Sequence, residues 1–307
     1  MIPQVYKYIL GPLEAIKMRQ SSLKLGNSPV FIVGAPRSGT TLLYQLLTQA
    51  WYFAYFSEYA ANIPWAPVMI TEKSLDQFDS DNEGFNSNYG HPEGIFAPGE
   101  AGRFWNRWFP TEKNHGYNYV DQHFLSTVQI RVIYQTIAHL EQLIGAPFIN
   151  KNVKNCVRIR ALNHIFPHAL FIYIERDLKE NAASLLQMRK KKVGDVNKWL
   201  GVMPKEINFL KQLDGYEQII AQLHFLKKNI TEDLKALNCS YLHVQYEELC
   251  NEPNMIIKQL AEFFDANKLT IKPKGTDFSK FSVRGTFSAL PEEEQRKIIK
   301  AIEKYDK

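Results

Sequence analysis

A chain of 307 residues has room for one large α/β domain or two smaller ones, with a sizeable core. Hydrophobic content of 45%, charged content of 22% and a net charge of +5 describe an ordinary globular protein. That charge suits an anionic ligand but falls short of the basic balance of a nucleic-acid binder. Three dispersed cysteines, Cys156, Cys239 and Cys250, with no C-x-x-C pair, fit a reducing, cytoplasmic setting rather than a disulfide framework. No apolar run reaches the roughly 18 residues of a membrane span, and the N-terminus lacks a signal peptide's apolar core.

In chain order, residues 1–26 read as a helical preface broken at Gly11-Pro12. Its cluster of Tyr6, Ile9, Leu10 and Leu13 is expected to pack on the main domain, with peripheral membrane contact as the alternative. Val30–Val33 reads as a buried strand, residues 39–50 as a helix, and Phe53–Phe56 as a second strand. Residues 71–120, with their Asp, Asn and Gly, read as an irregular lid over the ligand edge. Within it, 103-RFWNRWFP-110 combines Arg103, Trp105, Arg107 and Trp108, a surface for a sugar or an anionic group; Phe104 and Trp108 at i, i+4 equally suit a buried helix face. Helical spacing returns over 121–143. Strands follow at 147–150, 169–174 and 241–245, and helices near 155–165, 178–190, 205–236, 253–264 and 291–304. Strands alternating with helices predict a single-domain three-layer α/β fold, with a central parallel sheet flanked by helices.

The densest chemistry lies in 30-VFIVGAPRSGTTLLYQLL-47. Gly34 and Gly39 permit tight turns and close backbone approach to an anion. Amides of residues 38–41 would sit at a helix N-terminus, with Ser38, Thr40 and Thr41 adding hydroxyls. A triphosphatase loop would place lysine where Thr40 stands, to reach the terminal phosphates beside Mg²⁺. Arg37 can instead grip a tetrahedral oxyanion from the side. The loop therefore predicts a shorter anionic chain bound without metal, a 5′-phosphosulfate being one.

The run P-R-S-G-T-T-L-L resembles the 5′-phosphosulfate loop of sulfotransferases. The segment 166-FPHALFIYIERDLKENAASLLQ-187 is similar to that family's 3′-phosphate segment, and 244-VQYEELCNEP-253 to its Y-E-x-L element. The resemblance implies a P-loop-type fold. It also implies transfer of a sulfuryl group from 3′-phosphoadenosine 5′-phosphosulfate (PAPS) to a hydroxyl acceptor: a glycan, lipid, small alcohol or phenol, or tyrosine. No metal is required.

Ligands of open parallel sheets bind beyond the carboxyl ends of the strands, which lists Arg37–Thr41, Glu58, Lys151 and Arg176. The resemblance implies that Arg37, Ser38, Gly39, Thr40 and Thr41 hold the phosphosulfate. It assigns Arg176 and Ser184 to the 3′-phosphate, with Arg189 one residue out of register. Tyr246 would lie near the adenine, and Arg284 and Gly285 in a covering loop within 270–290. In-line transfer needs one base and one or two cations. Glu58, in FSEYAANIP, resembles the base of the tyrosylprotein-type branch; His91 and then Glu100 are the alternatives. Lys151, in 149-INKNVKNCVRI-159, resembles the lysine of that branch's N-K-D-P segment. Asn-Val replaces Asp-Pro here, which leaves Lys154 open. Competing functions are a P-loop kinase or NTPase, which lacks its lysine, and a non-catalytic nucleotide-binding protein. The histidines form no H-E-x-x-H or Cys/His cluster. The acceptor and the oligomeric state have no signature.

Overall fold

The computed structural model describes residues 7–80, 85, 87–88, 91–275, 277–283 and 285–305. Val30–Val33 (β1) is the central strand, and each of its side chains is buried. Ser87–Asn88 (β2) and His91–Pro92 (β3) form a separate antiparallel hairpin. Ile149–Lys151 (β4), Leu170–Glu175 (β5) and Ser240–Gln245 (β6) join β1 in one sheet of order β4-β1-β5-β6, and every pairing is parallel. Parallel strands need crossover connections, and helices supply them, so both faces of the sheet are covered.

Alternate side chains of β1 enter different cores, as the two-residue period of a strand requires. Val30 and Ile32, with Ile172, Ile174 and Val244, pack against the Thr40–Ala50 and Pro253–Ala266 helices through Leu43, Leu47, Ile256 and Leu260. Phe31 and Val33, with Phe171 and Tyr173, face the Thr127–Ile144 and Gly215–Ala236 helices through Ile133, Ile137, Leu226 and Ile230. A third apolar cluster joins Leu178–Val193 to Gly215–Ala236 and Glu292–Ile302. This is the three-layer arrangement the alternation predicts.

Local expectations shift in several places. Phe53–Phe56 forms no full strand; Ala54 alone bridges Phe148, giving its N–H to Pro147 O at 2.8 Å and receiving that of Ile149 at 2.8 Å. The run from 205 to 236 divides into Ile207–Leu210 and Gly215–Ala236, because Asp214 caps the amides of Tyr216 and Glu217 and starts a new helix. The preface is interrupted at Ile9, just ahead of Gly11-Pro12: residues 7–8 are helical, and Gly11 and Pro12 fall in the first turn of the following Leu10–Gln20 helix, where a proline's missing N–H costs no bond. Of the cluster expected to pack on the domain, Leu10 packs against Ala60, Ile63 and Ile70, whereas Ile9 and Leu13 are 56% and 53% exposed, and Tyr6 lies outside the described residues. Phe104, Trp105 and Phe109 are core residues, so the aromatic run of the 71–120 segment anchors it rather than presenting a flat surface. The Trp105 indole N–H donates to Asn150 Oδ1 at 2.9 Å.

Candidate active site

The register sets Ile32 beside Lys151, Val33 beside Tyr173 and Glu175 beside Gln245. Residues following each strand therefore leave the sheet at one edge. After β1 the backbone turns through Arg37 at φ +69° and Gly39 at φ +97°. Gly39 is the N-cap of Thr40–Ala50 and has no side chain to cap it, so the first amides of that helix face the loop. The Tyr246 ring lies against Gly39 so closely that a Cβ there would overlap it. A Cβ on Gly34 would come within 2.7 Å of Ile174 O and of Ser38 Oγ. Both glycines are thus demanded by close approach.

Side chains from four elements meet around this loop. Arg37 Nε donates to Ser184 Oγ at 3.1 Å. Arg176 Nη1 reaches Arg37 O at 3.4 Å, its Nη2 lies 3.7 Å from Glu180, and its guanidinium sits 4.7 Å over the Tyr246 ring. Asn181 Nδ2 donates to Pro36 O at 2.7 Å and ties the loop to the Leu178–Val193 helix. Ser38 is 1% exposed and its hydroxyl has no hydrogen-bond partner among the described residues. A buried polar group without a partner is costly, and an oxyanion in the loop would supply one. The sequence-derived set Arg37, Ser38, Gly39, Thr40, Thr41, Arg176, Ser184 and Tyr246 thus forms one neighbourhood.

Arg189 is not part of it. Its Nη1 donates to Val196 O at 2.8 Å and to Gln218 at 2.6 Å, and burial pushes its pKa down to about 10. Arg284 lies outside the described residues. Its neighbours are fixed, however: the amides of Thr286 and Phe287 donate to Glu180, the carboxylate beside Arg176. Glu175 points away from the loop, bonded to Lys227 and His243. A cleft of about 750 Å³ runs from the loop past Glu175, lined by Ala35, Ser38, Arg176, Asn181, Glu175 and Lys227.

A second group of side chains lies along the same edge. Glu58 opens the Glu58–Asn62 helix, whose Ser57 cap accepts from Ala60 N, and its own amide donates to Ala97 O at 2.9 Å. That bond lays segment 97–100 alongside, so closely that a Cβ on Gly99 would come within 3.2 Å of Glu58 N. Glu100 follows. Its carboxylate is ion-paired with Lys151, a side chain only 1% exposed, and its carbonyl accepts from Asn152 at 3.1 Å. Lys154 pairs instead with Glu112 at 2.8 Å, partly exposed. The Tyr44 ring, buried in the loop's own helix, completes the group. Burial, then the Glu58 and Glu100 carboxylates, hold its phenol well above the usual range. Of His91, the alternative base, only the backbone pairing with Asn88 is described.

Sequence reasoning missed Tyr44, Asn181 and Glu180. Tyr44 carried a signal, a tyrosine inside the Leu-Leu-Tyr-Gln-Leu-Leu run. The other two are ordinary helix residues until the fold brings residues 36 and 286 to them.

The fold is thus α/β, an all-parallel four-stranded sheet flanked by helices, with the glycine loop and two arginines together at one edge. The sulfotransferase family model matches residues 29–269, and the chain belongs to that family. None of the curated proteins matches it. Among solved structures, the sulfotransferase STF9 from Mycobacterium avium superposes with a TM-score of 0.54 at 18% identity, over 99% of this chain and 81% of that one. The sulfotransferase domain from the curacin biosynthetic pathway gives 0.45 at 17% identity, covering 87% and 84%. STF1 from Mycobacterium tuberculosis H37Rv gives 0.47 at 15%, covering 87% and 77%.

Proposed function

We propose that the protein transfers a sulfuryl group from PAPS to a hydroxyl acceptor by in-line displacement. The observation that carries this reading is the loop itself: a buried Ser38 hydroxyl with no partner among the described residues, at a helix N-terminus whose glycine N-cap offers no side chain, with Arg37 and Arg176 converging beside Ser184. These donors suit a phosphosulfate and, one residue layer away, a 3′-phosphate. PAPS supplies the sulfuryl group when bound. Arg37 and the loop amides hold the anion; Arg176 and Ser184 hold the 3′-phosphate; Tyr246 borders the nucleotide. Arg284 and residues 270–290 cover it, which the Glu180 bonds to Thr286 and Phe287 support. Residues 71–120 close the acceptor side of a single domain.

In this reading Glu58 takes the proton from the acceptor hydroxyl. Lys151 sets positive charge toward the leaving oxygen and is held in place by Glu100. A buried cation so placed stabilises charge that develops during transfer. The acceptor class is a hydroxyl compound. The three cysteines, none in a disulfide, suit a cytoplasmic setting.

The test is a thermal-shift titration in EDTA with 3′-phosphoadenosine 5′-phosphate, ADP, and separately ATP with Mg²⁺. A ligand that binds only the folded state stabilises it by about 2.7 kcal/mol at a hundredfold excess over Kd. The expected result is a rise with the 3′-phosphorylated nucleotide, lost in Arg176→Ala. A rise only with ATP and Mg²⁺ would replace this reading with a kinase.

A further inference from the structure

The Leu10–Gln20 helix docks through Gly11, Glu14 and Met18. Gly11 lies under the Trp65 side chain, and Glu14, 2% exposed, accepts from the amides of Val68 at 3.2 Å and Met69 at 2.9 Å. The opposite face is also apolar. Ile9, Leu13 and Ile16 recur at i, i+4 and i+7 and are 56%, 53% and 51% exposed, beside Tyr8 at 66%. A surface helix of a globular protein normally turns such a stripe inward and its charges outward.

The charges complete the pattern. At about 100° per residue, Lys17 and Arg19 fall on opposite flanks of the stripe. Both are exposed, as is Lys7 one turn before. The only carboxylate of the helix, Glu14, is buried inside. Glu72 from the neighbouring helix lies 3.6 Å from Lys17, with both side chains about half exposed, a pairing that contributes little. Every exposed charge on the helix is therefore cationic.

We propose that this face binds an anionic lipid surface. The Ile9–Leu13–Ile16 stripe enters the boundary between headgroups and acyl chains, and Lys17 and Arg19 extend to lipid phosphates on either side. Charge selects this occupant. A second copy laid stripe to stripe would set like cations against each other, whereas an anionic leaflet complements them. Among the described residues no helix is long and apolar enough to cross a membrane, so attachment is peripheral.

The test is co-sedimentation of the full chain with phosphatidylcholine vesicles, with and without phosphatidylserine. The expected result is pelleting with phosphatidylserine, weakened about fivefold or more in its absence and reversed by high salt. Leu13→Asp with Ile16→Asp alters exposed positions only, so it keeps the melting temperature and loses vesicle binding. Lys17→Glu with Arg19→Glu loses the preference for phosphatidylserine. The proposal is overturned if the unaltered chain does not pellet or if Leu13→Asp with Ile16→Asp pellets as before. It is equally overturned if the chain sediments as a dimer that this double variant converts to monomer, which would assign the stripe to a second copy.

Discussion

Arg37 holds a left-handed backbone conformation that costs a side-chain-bearing residue about 1–2 kcal/mol, and the loop keeps it. Its carbonyl meets Arg176 while its guanidinium meets Ser184, so one residue links both halves of the proposed nucleotide site. Gly39 has no such latitude. Gly39→Ala adds a left-handed alanine and a clash with the Tyr246 ring. It is expected to lower stability by about 1–3 kcal/mol and to abolish the thermal shift with 3′-phosphoadenosine 5′-phosphate, both read from one melting series. On the acceptor side, Glu58→Gln is expected to cut kcat by about 10²–10⁴-fold while nucleotide binding persists. Glu100→Gln, which only releases Lys151, should cost less. The reverse order in single-turnover rates would make Glu100 the base. The loop residues were legible because they are contiguous and their types dictate an anion. The Lys151–Glu100 pair was not, because 51 positions separate its members and neither strand pattern nor spacing links them.

Among the elements, spacing located the helices but not every end: the helix expected from residue 121 starts at Thr127, where its capping chemistry lies. Thr127–Ile144 begins at a capping box between Ser126 and Gln129 and stops at Gly145, φ +70°. Ser126→Ala is expected to cost about 1 kcal/mol, seen as a lower denaturation midpoint at unchanged slope. Strand Phe53–Phe56 was over-read. Its side chains are as buried as a strand's, yet only Ala54 bridges to the sheet, at Phe148, while the Phe56 carbonyl accepts instead from Gly99 N at 2.7 Å. Burial is a property of side chains and shows in composition. Ladder pairing belongs to the neighbour and does not.

For the whole molecule, the attachment of the N-terminal helix sets a pH dependence. Burial pushes the Glu14 carboxyl up to about 7, against the amides of Met69 and Val68 and the charges of Arg107 and Lys17. The folded chain then keeps a proton that the unfolded chain, titrating near the ordinary value of 4.5, has already lost. Stability is therefore expected to fall as pH rises from about 4.5 to about 7, by about 3 kcal/mol, and to level off above. Glu14→Gln should remove this component. The difference between the two proteins' denaturation midpoints across that range measures it, and a flat difference would mean that Glu14 titrates normally.

The sheet order has a consequence for the newborn chain. β1 and its loop emerge from the ribosome early, but their flanking strands, β4 and β5, are still unmade, and Tyr246 follows later still. At roughly 5–20 residues per second, the interval between Gly39 and Tyr246 is on the order of ten seconds. Until β4 and β5 have been made, the apolar residues of β1 have no sheet to enter. A nascent chain stalled before β6 should hold no nucleotide, however much of its sequence already reads as a phosphate loop.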